Sequence, residues 1–232
     1  FDDEFRRAAR VILELWTVEQ DHVARSPYRF QRRDCPPSDT LTHEGLGAPV
    51  APTGMTWSGF RPSDDACRFG YLVPANLFAV VALRHLGEIA RTVWADEQMS
   101  SQAEGLVGEI DAGLRAHAVI DDEGIGGPVY AYEVDGHGNH HFMDDANVPS
   151  LLSLPYLGAR AADDEIYGNT RRLILSDHNP YYYEGTQARG IGSPHTPDGY
   201  VWHISLSMQG LTATSTDEMD GLIDMLEATD GG

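Results

Sequence analysis

Lysine is absent from this chain. All 16 basic residues are arginine, set against 36 Asp and Glu, so the net charge is −20 and the pI is about 4.6. So negative a surface repels phosphate backbones and anionic headgroups, which removes nucleic acid and anionic membranes from the expected partners. Cysteine is scarce: Cys35 and Cys67 are the two present. They are too few for a disulfide scaffold, and reduced thiols are expected. Long apolar runs are missing, so no membrane span is expected. There is no Gly-rich phosphate loop, no Gly-x-Ser-x-Gly elbow and no HExxH pair of histidines. His137, His140 and His141 fall on a predicted hairpin without a Cys partner, so neither a metal nor another cofactor is expected. No signal-peptide pattern opens the chain. With the scarce cysteines this predicts a cytoplasmic location, and the start at Phe1 reads as a processed or partial protein.

Arginine-only basicity with a large carboxylate excess suits a surface hydrated in concentrated salt. Screening there is short-ranged, roughly 3 Å at 1 M. A halophile source is therefore expected. The 232 residues are 41% hydrophobic, enough for a real core and for one domain over 1–232.

Residues 1–24 read as an amphipathic helix, with Asp2, Asp3 and Glu4 near its positive end and Phe5, Ala8, Ala9, Ile12, Leu15 and Trp16 marking its faces. Pro27 closes it, and Tyr28–Phe30 reads as a short strand. Residues 34–56 read as a loop. The clearest helix is 74–94, opened by Pro74 and apolar over much of its circumference, so it is expected to be buried. Another follows at 96–117. Residues 128–143 switch to period two around the turn Asp135–Asn139, which predicts a hairpin. Helical patterns resume at 147–160, 163–175, 200–214 and 216–228. The expectation is an all-α fold of about seven helices, with a small β-hairpin and long loops gathered for a site.

Three segments carry side chains suited to chemistry. Met55–Asp65 combines Trp57 and Arg61 with Asp64 and Asp65. An aromatic plate beside charged planar groups is how sugars are bound, although both carboxylates also suit capping. The hairpin ends in Asp144 and Asp145, followed by Asn147. Neighbours on a strand point to opposite faces, so the two carboxylates should do different jobs. One desolvated beside another negative charge rises in pKa and can act as a general acid. Residues 176–203 hold Tyr181, Tyr182, Tyr183, His195, Trp202 and His203, and read as a binding rim or as packing under a loop.

The stretches MTWSGFRPSDD (55–65), YLVPANLFAVVAL (71–83), NHHFMDDANVPSLLSLPYLG (139–158), NTRRLILSDHNPYYYEG (169–185) and GIGSPHTPDGYVWHISLSMQGLTATS (190–215) resemble glycoside hydrolase family 125. The resemblance runs from about residue 1 to 228. It implies an (α/α)6 barrel, here an incomplete toroid. It also implies metal-independent, inverting exo-α-1,6-mannosidase activity on a mannose-containing oligosaccharide or glycan, without nucleic acid or membrane and as a monomer. Inversion requires an acid and a base roughly 6.5–9.5 Å apart. The resemblance places the acid in Met143–Asn147, with Asp144 preferred by analogy to Met-Asp-Asn motifs of related (α/α)6 glycosidases and Asp145 the alternative. It makes Trp57, Arg61, Asp64 and Asp65 plausible ligands of the terminal mannose, with Asn147, Tyr181, His195 and His203 weaker ones. The family's base, a Glu in a His-Glu-Ser-like segment, has no counterpart in these 232 residues. The isolated chain is therefore expected to be inactive. Were it active, Glu184, Glu44 and Asp198 would be the candidate bases. The competing expectations are a glucoamylase- or trehalase-like (α/α)6 glycosidase and a non-catalytic carbohydrate-binding remnant.

Overall fold

The computed structural model describes residues 1–122, 124–194 and 196–229. In chain order the helices are α1 (Asp3–Glu19), α2 (His22–Arg25), a left-handed turn α3 (Thr42–Gly45), α4 (Val73–Thr92), α5 (Glu97–Gly113), α6 (Glu165–Ile174), α7 (His203–Leu211) and α8 (Thr216–Ala228). The strands are short: β1 (Tyr71–Leu72), β2 (Val119–Asp122), β3 (Gly127–Tyr130), β4 (Glu133–Val134), β5 (His140–His141), β6 (Tyr182–Glu184) and β7 (Arg189–Ile191). Two compact units result. The first comprises 1–61, 66–118 and 133–140, the second 62–65, 119–132 and 141–232.

In the first unit α4 packs on α5 around Leu77, Val80, Leu83, Ala90, Met99, Ala103, Leu106 and Ile110, all buried. Gly87 lies in this contact, where a Cβ would sit at ordinary van der Waals distance, 3.6 Å, from that of Ala103. A π-turn at Leu114–Ala118 ends the pair. By length and a mean hydropathy of 1.2, α4 is long and apolar enough to cross a membrane, contrary to the sequence expectation. Half of that stretch is buried within the protein, and this face is core. Asp96 caps α5 by accepting the Met99 N–H, and its other oxygen receives Arg6 at 2.6 Å and Arg10 at 2.9 Å from α1. α1 buries Ala9 and Leu13 and leaves Ile12 and Leu15 exposed. The expected single helix over 1–24 breaks at Gln20, where α1 ends and the one-turn α2 follows. No strand forms at Tyr28–Phe30. β1 pairs antiparallel with β4, Tyr71 opposite Val134.

In the second unit β2 and β3 form a hairpin, Val119 opposite Tyr130. α6 packs on β3, and its Thr170 hydroxyl oxygen accepts the Tyr130 N–H at 2.9 Å. β6 and β7 form a second hairpin, and α7 packs on α8. The described chain is thus rich in helix, with more strand than the one hairpin expected.

The largest departure lies at 147–160, expected as a helix. It is a run of turns. Its backbone donors are taken by side chains instead of an i to i−4 ladder: Leu151 and Leu152 N–H donate to Asp144, and Ser150 N–H donates to the Ser153 hydroxyl. Pro149 and Pro155 remove two further donors. Tyr167 of α6 ties the run down through its hydroxyl to the Leu152 carbonyl at 3.1 Å.

Candidate active site

Asp144 and Asp145 are both fully buried in the second unit. Their surroundings differ. Asp144 Oδ1 accepts the Leu151 N–H at 3.3 Å, and Oδ2 accepts the Leu152 N–H at 2.9 Å. Asp145 Oδ1 accepts the Tyr132 hydroxyl at 3.3 Å and the Asn147 N–H at 3.2 Å. Asp145 Oδ2 is buried with no hydrogen-bond partner among the described residues. A bare buried carboxylate oxygen is costly unless it is neutralised or meets a ligand.

Burial and the adjacent Asp145 push the Asp144 carboxyl up to about 8, against the opposing pull of the Leu152, Leu151 and Ala146 N–H groups. That rise alone would make Asp144 the protonated partner. The hydrogen bonds argue the other way, because N–H donors on both Asp144 oxygens favour charge there. The geometry leaves one unshared oxygen, on Asp145.

Asn179 sets the position of this pair. It is buried, and its Nδ2 donates to the Asp144 and Ile174 carbonyls at 3.0 Å each. Its Oδ1 accepts the N–H groups of Asp144 and Tyr181. The backbones of Asp144 and Tyr181 are therefore drawn to one amide, with the Tyr181 side chain half-buried. Asn147 folds back on its neighbour, its Nδ2 reaching the Asp145 carbonyl at 3.3 Å. Ala146 sits between them at φ 56°, a left-handed conformation strained for alanine.

Asp65 belongs to the same unit. It is 4% exposed and accepts the Ser63 hydroxyl at 3.1 Å. Asp64 is exposed and also left-handed, at φ 66°. His203 opens α7 and bonds the Thr229 hydroxyl at the end of α8, at 2.6 Å. It borders a cavity of about 280 Å³ with Tyr200 and Gln187, whose lining includes neither aspartate of the pair. His195 lies outside the described residues.

Trp57 and Arg61 belong to the first unit. Arg61 Nε donates to Glu133 at 2.6 Å, and both groups are buried. The other Glu133 oxygen accepts the N–H groups of Arg68 and Phe69. Trp57, expected as an open plate, is 7% exposed and has one face covered by the His22 ring. Asn76 of α4 clasps the preceding residue, Oδ1 taking the Thr56 N–H and Nδ2 giving to the Thr56 carbonyl. Sequence reasoning missed Tyr132, Asn179, Glu133 and His22. Tyr132 and Glu133 stood in the predicted strand and Asn179 in the Ser-Asp-His-Asn-Pro turn, with nothing local to mark their distant partners. Among the described residues no group of three or more His, Cys, Asp or Glu is arranged to hold a metal ion.

The chain is similar to known proteins in sequence and in structure. The family described as metal-independent alpha-mannosidase (GH125) matches residues 1–232. The meiotically up-regulated gene 157 protein of Schizosaccharomyces pombe is 44% identical over 218 residues, which take in 88% of this chain and 40% of that protein. A solved structure from Streptococcus pneumoniae, titled as a metal-independent alpha mannosidase in a non-productive complex with alpha-1,6-mannobiose, has a TM-score of 0.95 and 51% identity. It covers all of this chain, which covers 55% of it. The chain thus spans about half the length of the relatives it matches.

Proposed function

Because this chain belongs to the metal-independent α-mannosidases of glycoside hydrolase family 125, we propose that it forms part of an inverting exo-α-1,6-mannosidase. It would remove terminal mannose from a mannose-containing oligosaccharide or glycan, on one catalytic domain of (α/α)6 type. The observation that carries the reading is the buried carboxylate pair with one unshared oxygen, Asp145 Oδ2.

The chemistry follows from that oxygen. Glycosidic cleavage needs a proton at the leaving oxygen as the bond breaks. The pair meets the leaving oxygen through Asp145 Oδ2, where no N–H competes for the lone pairs, and Asp145 is the general acid. Asp144 holds the 147–152 turn in place through the Leu151 and Leu152 N–H groups. The proton passes from the pair to the leaving oxygen as the glycosidic bond breaks. Asp65, Asn147 and Tyr181 are the polar groups proposed to meet the sugar. Arg61 and Trp57 are proposed to fix the chain that runs into Pro62–Asp65. Inversion also needs a carboxylate to activate water, and the family's His-Glu-Ser-like segment is absent from these 232 residues. The isolated chain is therefore expected to release little mannose. That same absence favours, as a second reading, carbohydrate binding without turnover.

The test compares mannose release from α-1,6-mannobiose, with EDTA present, by this chain and by a version extended to the stop codon of its gene. Release by the extended version alone is expected. In that version Asp145→Asn should lose release from the disaccharide by roughly 100-fold or more yet keep turnover of an aryl α-mannoside whose leaving group needs no proton. Asp144→Asn should instead lower stability, since an amide nitrogen cannot accept the Leu152 N–H. Full disaccharide turnover by Asp145→Asn would move the acid to Asp144. Robust release by the isolated chain would refute the missing-base reading.

A further inference from the structure

His22 opens α2 and is 1% exposed. Its ring lies flat on the Trp57 indole, with centroids 3.5 Å apart and planes 9° from parallel. Both ring nitrogens face acceptors. Nδ1 meets Glu19 Oε2 at 2.5 Å, and Nε2 meets the Leu46 carbonyl at 2.8 Å. A carbonyl only accepts, so Nε2 carries a hydrogen. The other Glu19 oxygen accepts the Ser26 hydroxyl at 2.5 Å, while the Ser26 oxygen accepts the Tyr28 N–H at 3.1 Å. The Ser26 hydroxyl, itself accepting the Tyr28 N–H, donates to Glu19, which suits an ionised carboxylate. With Glu19 ionised, both ring nitrogens face acceptors and each needs a hydrogen, which is the imidazolium form. Ser26 bonds Glu19 and not the ring, so the trio is no nucleophile triad.

Glu19 also holds the other partner of the stack. Its backbone carbonyl accepts the Trp57 N–H at 3.1 Å. The indole edges are closed by glycines: a Cβ on Gly70 would lie 2.2 Å from Nε1, and one on Gly47 2.8 Å from the six-membered ring. The ring stacked on this indole face would be held there more strongly as a cation than as a neutral ring.

We propose that His22 is a positioning residue of the sugar site: an imidazolium clamped by Glu19 and the Leu46 carbonyl, pressed on Trp57 so as to fix the Thr56–Arg61 segment. The positioning role rests on the reading that this segment serves the sugar site. The clamp itself does not.

Nitrogen-15 NMR of the imidazole rings in the unaltered chain at pH 7.5 tests the clamp without any substitution. Two ring N–H protons on His22 are expected, and a single one overturns the proposal. Glu19→Gln removes the charge that holds the proton. Trp57 emission, isolated by subtracting that of a Trp57→Phe chain, should rise in Glu19→Gln as the quenching cation is lost. Unchanged emission in a folded Glu19→Gln chain also overturns the clamp. For the positioning role, calorimetry with α-1,6-mannobiose should show binding about tenfold weaker in Glu19→Gln, the loss expected of one charge-assisted bond. Equal affinity makes the clamp structural and overturns positioning. If the unaltered chain binds no mannobiose, the sugar-site reading fails and positioning fails with it, while the NMR and emission results still decide the clamp.

Discussion

At the scale of single residues, two adjacent carboxylates of identical chemistry are separated by their hydrogen bonds. Asp144 is met on both oxygens by backbone N–H, and Asp145 on one. The consequence for pH follows from the direction of the Asp144 shift. Its folded carboxyl lies at about 8, above an unfolded value of about 4. The folded state therefore holds a proton that the unfolded state gives up between these limits. Stability from this group is full below about 4 and is lost as pH rises toward about 8. Chemical denaturation across pH 5–8 should show a decline that Asp144→Asn flattens. The adjacency of the pair was legible in the sequence, and so was the expectation of different surroundings for the two, since they are neighbours at a strand end. The choice between them was not. Tyr132 lies 13 residues from Asp145, and Asn179 lies 35 from Asp144. A local pattern carries no trace of such partners. Trp57 is a different case: its type suggested an open plate, and the structure lays the His22 ring, far away in sequence, on one of its faces.

At the scale of elements, the sequence was legible wherever an apolar stripe met a cap. Asp96 before α5, Asp164 before α6 and Ser215 before α8 each accept an N–H of the first turn, and those helices lie close to where periodicity puts them. At 147–160 periodicity misled because Asp144, Ser150 and Ser153 captured the backbone. The same capture makes the turn indispensable to the pair. α1 is tied to α5 through one residue, since Asp96 serves as cap and as receiver of Arg6 and Arg10. Those donors hold its carboxyl well below the usual carboxylate range. Its contribution is present above the unfolded value and is lost on acidification, opposite in sign to that of Asp144. Asp96→Ala should lower the melting temperature at pH 7 and have a smaller effect near pH 3. An equal loss at both would place the effect in packing.

At the scale of the whole molecule, a net charge of −20 without a single lysine makes self-repulsion a term in stability. Short-range screening relieves it. The melting temperature should rise from low to multimolar KCl, and a flat profile would remove the halophile reading. The division into two units bears on how this chain can be altered or inherited. Each unit is assembled from three separate stretches of sequence, and Pro62–Asp65, with its buried carboxylate, is a four-residue thread of the second unit set within a long run of the first. Neither unit corresponds to any one uninterrupted length of coding sequence. No single excision, duplication or exchange of one gene segment can therefore transfer one unit whole.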